Sequence, residues 1–248
     1  MPDLTGTRAL VTGATSGLGR AMAAALTAHG ARVAVTSREP ARAQATAADL
    51  GPNAVPVALD VRDEESVSTA VAETYDRLGG LDLLVNNAGI GMRTVNPKFL
   101  TEPQPFHAVP PDGFRAVVDT KLVGCFLVAR EVVPRMLASE HGGRVVNISM
   151  NQGTMVRRGF VPYGPAGAGV EALSRVMAAD LEGTSVTVNL LLPGGATATG
   201  LVPDDIPAEM RANLIDPAVM GPPIVWLASP AAAGVHDERI VAVDFERP

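Results

Sequence analysis

Cysteine, lysine and aromatic side chains are all scarce in this chain, and each scarcity excludes something. One cysteine, Cys125, stands among 248 residues, so no disulfide can form within the chain. It lies in the apolar run "LVGCFLVA" and reads as a small buried hydrophobe. Aromatics make up 4% of the residues, which leaves the packing to Ala, Val and Leu, a composition suited to helices on buried parallel strands. Of 20 basic residues only Lys98 and Lys121 are lysines, no basic run occurs, and the net charge is −6. That balance excludes a nucleic-acid surface and an anionic membrane partner. No apolar run approaches the length of a membrane span. The opening "MPDLTGTRALVTG" carries charges and enters a strand almost at once, so it is not expected to be a signal peptide, and a reducing, cytoplasmic setting is the expectation. His29, His107, His141 and His236 form no spaced cluster with Cys, Asp or Glu, and no metal site is expected.

What is present is an alternation. Short runs rich in β-branched residues ("RALVTG", "RVAVTS", "AVPVALD", "LDLLVNNAG", "GRVVNIS", "VTVNLLLPGG", "RIVAVDF") alternate with Ala- and Leu-rich stretches that predict helices near 17–29, 40–50, 63–78, 112–139, 163–182 and 221–229. This rhythm predicts an α/β fold: a Rossmann-like, doubly wound parallel sheet of about seven strands with helices on both faces, in a single domain over 1–248. Two Pro-broken segments, 92–114 and 196–223, interrupt it. Both leave the carboxyl end of a strand, where open α/β sheets bind ligands, and are expected to cover a substrate, with surface decoration as the alternative.

The stretch "LVTGATSGLGRAMAAAL" places Gly13, Gly17 and Gly19 between the first strand and the first helix. A helix N-terminus offers unpaired N–H groups and a positive dipole end to a pyrophosphate, and glycine lets the backbone come close. At the end of the second strand stand Ser37 and Arg38, where NAD-using enzymes generally carry an acidic residue for the ribose 2′-hydroxyl. A guanidinium there suits a 2′-phosphate, so NADP is expected in preference to NAD, with a solvated helix-start charge as the alternative. Asp60, ending the third strand, is either an acceptor for the adenine amino group or the N-cap of the next helix.

With "TGATSGLG", "LDV", "NNAG", a Tyr at the start of a later helix and "NLLLPGG", the chain resembles the short-chain dehydrogenases/reductases over essentially its whole length. The resemblance implies that Gly13, Ser16, Gly17, Leu18, Gly19, Ser37, Arg38, Asp60, Val61, Asn87, Ala88, Gly89, Pro193 and Gly194 hold the cofactor, together with Lys121 and Tyr163. It implies Asn, Ser, Tyr and Lys in the active site. Tyr163 matches the Tyr. The Ser place holds Met150, between Ser149 and Asn151; the Lys place, four after the Tyr, holds Gly167; and the Asn place holds Lys121. Ketoreductase domains of polyketide synthases are similar in exchanging Lys and Asn between these places, although Gly167 returns no side chain. Lys121 is therefore expected to be a relocated lysine beside Tyr163, or else a lysine reaching for water. Ser149 in a strand should point to the opposite face, leaving a bulge at Ser149 or the amide of Asn151 as the source of the missing donor.

On this reading the chain is an NADP(H)-dependent reductase of a small ketone or aldehyde. A dinucleotide-binding sensor or scaffold without chemistry is the alternative. A homodimer or homotetramer is expected, because the two long helices carry apolar residues all round.

Overall fold

A computed structural model describes residues 2–247. Seven strands form one parallel sheet in the order β3-β2-β1-β4-β5-β6-β7: β1 (Arg8–Val11), β2 (Arg32–Ser37), β3 (Ala54–Ala58), β4 (Leu83–Asn86), β5 (Gly143–Ile148), β6 (Val186–Leu192) and β7 (Arg239–Val241). Consecutive crossovers leave β1 in opposite directions, since β1 pairs with both β2 and β4. That reversal opens a crevice at the carboxyl ends of β1 and β4.

Period-two alternation sorts the strand residues onto two cores. Ala9, Val11, Leu83, Val85 and Val146 face one cluster, closed by α1 (Gly17–Ala28) and α9 (Gly221–Ala228) through Met22, Leu26, Ile224 and Trp226. Leu10, Leu84 and Val145 face the other, closed by α3 (Glu64–Leu78), α5 (Gly124–Leu137) and α7 (Tyr163–Asp180). The second helix, α2 (Pro40–Leu50), follows β2 as expected.

Three expectations change in detail. The helix expected over 112–139 is three pieces: α4 (Pro111–Val118), a π-helical turn (Asp119–Val123), then α5. A π turn accommodates one extra residue and leaves no mark in composition, so the sequence pattern ran through it. The last strand stops at Val241 and passes into a 3₁₀ turn, because it pairs on one side only, with the end of β6. The irregular segments carry structure of their own. In 92–114 two 3₁₀ turns, Met92–Thr94 and Phe106–Ala108, flank a chain pinned by Met92 and Phe99 against Phe160. In 196–223 lie α8 (Ala208–Ala212) and a 3₁₀ turn (Pro217–Met220). A short helix, α6 (Gln152–Met155), follows β5.

Candidate active site

A cleft of about 520 Å³ runs along the carboxyl edge of the sheet. All the cofactor and active-site residues expected from the sequence border it except Gly19 and Gly194.

At its nucleotide end the glycine loop is set by close approach. Gly13 has φ +63°, and a Cβ there would stand 3.0 Å from Ala88 Cα. Gly19 is needed for packing: a Cβ would collide with Asn87 Nδ2 and the Gly13 carbonyl oxygen. Two helix starts make an instructive contrast. The carboxylate of Asp63 caps α3 by accepting from Ser66 N–H, and Glu64 and Glu65 follow in its first turn. At α1, among the described residues, the N-cap Ser16 makes no side-chain cap bond and no acidic residue occupies the first turn, which leaves the dipole end, with Ser16, Gly17 and Leu18, bordering the cleft. The cradle fits an anionic pyrophosphate.

Thr12, which the sequence reading missed, organises this end. Its hydroxyl accepts from the N–H groups of Asn87 and Ala88, each at 2.9 Å. The Asn87 amide in turn donates to the carbonyl oxygens of Thr12 (2.9 Å) and Gly13 (3.2 Å). The Asn87 side chain thus ties the "NNAG" segment to the glycine loop. Sequence offers one signal for Thr12, its position directly before the first loop glycine.

At the adenosine side, the Ser37 hydroxyl accepts from Glu39 N–H. Arg38 is exposed and comes no nearer than 4.0 Å to Glu39, which leaves its guanidinium open to the cleft. Asp60 is not the N-cap of α3; Asp63 is. The two aspartates lie three residues apart, and the helix runs over Glu64–Leu78, within a residue of the expected start. Instead Arg62 clasps Asp60 through Nε (2.9 Å) and Nη2 (2.5 Å), and those bonds hold the carboxyl below its usual range. Val61 is buried beside the backbone of Gly124.

The other end of the cleft holds the chemistry. The π turn carries Lys121 inward, where it is 8% exposed, and its Nζ donates to the Ile148 carbonyl oxygen at 3.4 Å. Nζ stands 5.4 Å from the ring centroid of Tyr163, the first residue of α7. Burial lowers the Lys121 pKa to about 8 and raises those of Tyr163 and, to about 12, of the Cys125 thiol one turn on. The helices bearing the pair are locked to the sheet by a buried polar chain: Asn86 donates to Asn147 (2.9 Å), Asn147 to Ser174 (2.8 Å), and Cys125 Sγ to Asn147 (3.4 Å).

The serine place is filled differently. β5 ends at Ile148, and Ser149, the next residue, borders the cleft with its hydroxyl already committed, donating to Glu171 at 2.5 Å. Glu171 also accepts from Arg239 Nε at 2.8 Å, while Arg239 Nη2 bonds the Met150 carbonyl at 2.9 Å. Neither Glu171 nor Arg239 was legible as part of this region, since they lie on α7 and β7, far apart in sequence. Asn151 borders the cleft and spends one amide hydrogen on the Gly194 carbonyl (2.7 Å). Gly194 itself does not line the cleft; Pro193, Gly195 and Ala196 do.

His29 bonds the Ala25 carbonyl at the end of α1, and His236 lies between Val188 N–H and the Ala178 carbonyl; both brace backbone. Among the described residues no helix is long and apolar enough to cross a membrane, and no group of His, Cys, Asp and Glu could hold a metal ion.

The family model described as short chain dehydrogenase matches residues 7–209. A 3-oxoacyl-[acyl-carrier-protein] reductase of Vibrio harveyi is 33% identical over 96% of both chains. One from Synechocystis is 34% identical over 98% of both. The crystal structure of a 3-ketoacyl-(acyl-carrier-protein) reductase from Brucella melitensis complexed with NADH superposes with a TM-score of 0.85 at 28% identity, covering 96% of this chain and 97% of that one. With the sheet order and the cleft already described, these likenesses leave one assignment: the chain belongs to the short-chain dehydrogenase/reductase family of NAD(P)-dependent oxidoreductases.

Proposed function

We propose that this chain reduces a ketone or aldehyde to an alcohol with NADPH, as one catalytic domain over residues 1–248 whose loops 92–114 and 196–223 shape the substrate pocket. The observation that carries the reading is the buried ammonium of Lys121 beside the ring of Tyr163 at the deep end of the cleft. When bound, NADPH supplies the hydride. Gly13, Ser16, Gly17 and Leu18 would hold its pyrophosphate with the open end of α1; Ser37 and Arg38 the ribose 2′-phosphate; Asp60 and Val61 the adenine; Asn87, Ala88, Gly89 and Pro193 the nicotinamide half; Gly19 and Gly194 act through the backbone around them.

Tyr163 donates the proton to the carbonyl oxygen. A phenol titrates near pH 10 in water, and burial keeps Tyr163 protonated to higher pH still, which suits an acid and therefore reduction. Lys121 favours the phenolate left behind and offers its remaining N–H groups to the ribose hydroxyls. It thereby does from the Asn place what family members do from the place held here by Gly167. Ser149 has given its hydroxyl to Glu171, so Asn151 is the better donor to the substrate oxygen: its second amide hydrogen is uncommitted among the described residues.

The commitment of Ser149 favours a second reading, a dinucleotide-binding sensor or scaffold that does no chemistry. The naming of full-length relatives as reductases weighs against it. Turnover of a broad carbonyl panel decides. Lys121→Ala and Tyr163→Phe should each lower kcat/KM by about a hundredfold or more while NADPH binding changes little. NADPH binding without turnover of any carbonyl or alcohol would select the second reading. Self-association is part of the proposal, because Val123, Phe126, Leu137 and Val176 expose apolar surface on α5, its leading turn and α7; a monomer by light scattering would reject it.

A further inference from the structure

The cleft lining includes an apolar set, Phe99, Leu100 and Phe160, which cluster with Tyr163, together with Leu201 and Val202, among threonines such as Thr154 and Thr199. One charged group interrupts them. Arg157, in the loop between α6 and α7, borders the cleft with its guanidinium carbon 4.9 Å from the centre of the Phe160 ring. Phe160 is itself buried, edge-on to Phe99 at 5.4 Å, in the cluster that packs against Tyr163. A cation–π contact to so firmly held a ring steadies the guanidinium at this point and leaves its N–H donors unspent. Among the described residues Arg157 has no carboxylate partner and no side-chain hydrogen bond. The acidic residues that border the cleft, Glu39 and Asp60, lie at its far end beside Arg38, Arg42 and Arg62. A steadied, unneutralised cation beside this apolar set is a recognition element for an anion carried on an apolar chain. Arg158, the next residue, is also exposed but does not reach the cleft.

We propose that Arg157 is a specificity-determining residue that binds an anionic group at the far end of the carbonyl substrate, so that the substrate has a ketone or aldehyde, an apolar body and a terminal carboxylate or phosphate. This rests on the reductase reading for the identity of the reacting group, but the charge preference itself concerns binding alone. The test is calorimetric titration of the protein saturated with NADP⁺. The ligands are medium-chain oxo acids, with the ketone at successive positions, each against its methyl ester, and an oxoacyl pantetheine with and without its phosphate. The expected result is that the anionic member of one pair binds about tenfold or more tighter at low salt, an advantage that shrinks as salt is added. Arg157→Ala should erase that advantage while leaving the neutral member's affinity within about twofold, and Arg158→Ala should retain it. A preference in the acid pair assigns the anion to a free carboxylate, and one in the pantetheine pair to a carrier arm. Equal binding within both pairs, or a preference that survives in Arg157→Ala, overturns the proposal. Absence of turnover with every oxo compound would remove the reductase reading and leave a measured charge preference standing, so the two failures are told apart.

Discussion

Met150 fills the space into which a side chain on Gly167 would project: a Cβ built on Gly167 would lie 2.5 Å from Met150 Cε and 3.0 Å from its Sδ. Two departures from the family pattern are therefore one packing arrangement, with the thioether at the Ser place lying over the glycine at the Lys place. In an unencumbered helix interior Gly→Ala stabilises by about 1 kcal/mol. Here the added methyl must displace Met150, and overpacking costs about 1–3 kcal/mol. Gly167→Ala should thus be neutral or destabilising in the natural background and stabilising by about 1 kcal/mol once Met150 is changed to Ala. A double-mutant cycle by urea denaturation measures the coupling; additivity of the two changes would refute the arrangement.

Lys121 makes stability depend on pH in a defined direction. Its folded-state pKa, about 8, lies below the ordinary 10.5 because burial disfavours the ammonium. Between those values the unfolded chain holds more protons, so this group's contribution to stability rises with pH across that window. Below it the buried charge costs on the order of 3 kcal/mol. Cys125 and Tyr163, whose pKa values are raised, act in the opposite sense above their ordinary values, and the quantity to measure is the difference between wild type and Lys121→Met. Without cofactor, the variant should be the more stable at pH 7, and its advantage should fade as pH approaches 10.5. A pH-independent difference in Tm would mean that Lys121 is not buried as described.

Thr12 should matter more than its anonymity in the sequence suggests. It is 1% exposed, and its hydroxyl receives the N–H groups of both Asn87 and Ala88. Thr12→Val keeps the shape and removes the acceptor, leaving two donors unpaired, at a cost of about 1–3 kcal/mol. Thr12→Ser keeps the acceptor and should lie near wild type. Thermal unfolding of the pair, with hydrogen exchange at Asn87 and Ala88, separates loss of the bond from loss of packing.

Much of the fold was legible because strand and helix periods differ: alternating apolar residues such as Ala9, Leu10 and Val11 send neighbours to opposite cores, as period two requires. The commitment of the Ser149 hydroxyl to Glu171 was not legible, because Ser149 lies one residue past the end of β5 and Glu171 is far from it in sequence. What stayed hidden depends on events without a local signature. The π turn that carries Lys121 inward consists of ordinary helix-compatible residues. The Met150–Gly167 and Thr12–Asn87 contacts join positions whose proximity only the assembled sheet creates. Asp63, the actual cap of α3, was overlooked because Asp60 three residues earlier also precedes helix-forming sequence and can cap equally well on sequence grounds.

Arg38 sets the expected cofactor preference, because its guanidinium opens onto the cleft while Glu39 lies no nearer than 4.0 Å. Arg38→Asp should weaken NADPH binding by about tenfold or more and improve NADH binding, since a carboxylate repels the 2′-phosphate and accepts from a 2′-hydroxyl. Fluorescence titration with both nucleotides checks the exchange. Unchanged NADPH affinity would place the phosphate elsewhere.

Arg93 joins the two irregular segments that overhang the cleft. From the first of them it donates to the carbonyl oxygens of Gly200 (3.1 Å) and Val202 (3.0 Å) and to the carboxylate of Asp204 (2.9 Å) in the second. The bonds to backbone fix the chain on either side of Leu201, which borders the cleft, while the ion pair, with Asp204 largely exposed, adds little. Arg93→Ala should therefore leave global stability within about 1 kcal/mol, because the link is peripheral to both cores. It should free the 199–204 segment, seen as faster amide exchange there, and raise KM severalfold with a smaller change in kcat, because substrate binding would then have to order the segment that Arg93 now holds. Arg93→Lys retains the charge but not the fork that reaches three acceptors, and should behave more like Ala than like wild type. An unchanged KM in both variants, with exchange accelerated, would show that the segment's order has no bearing on substrate binding.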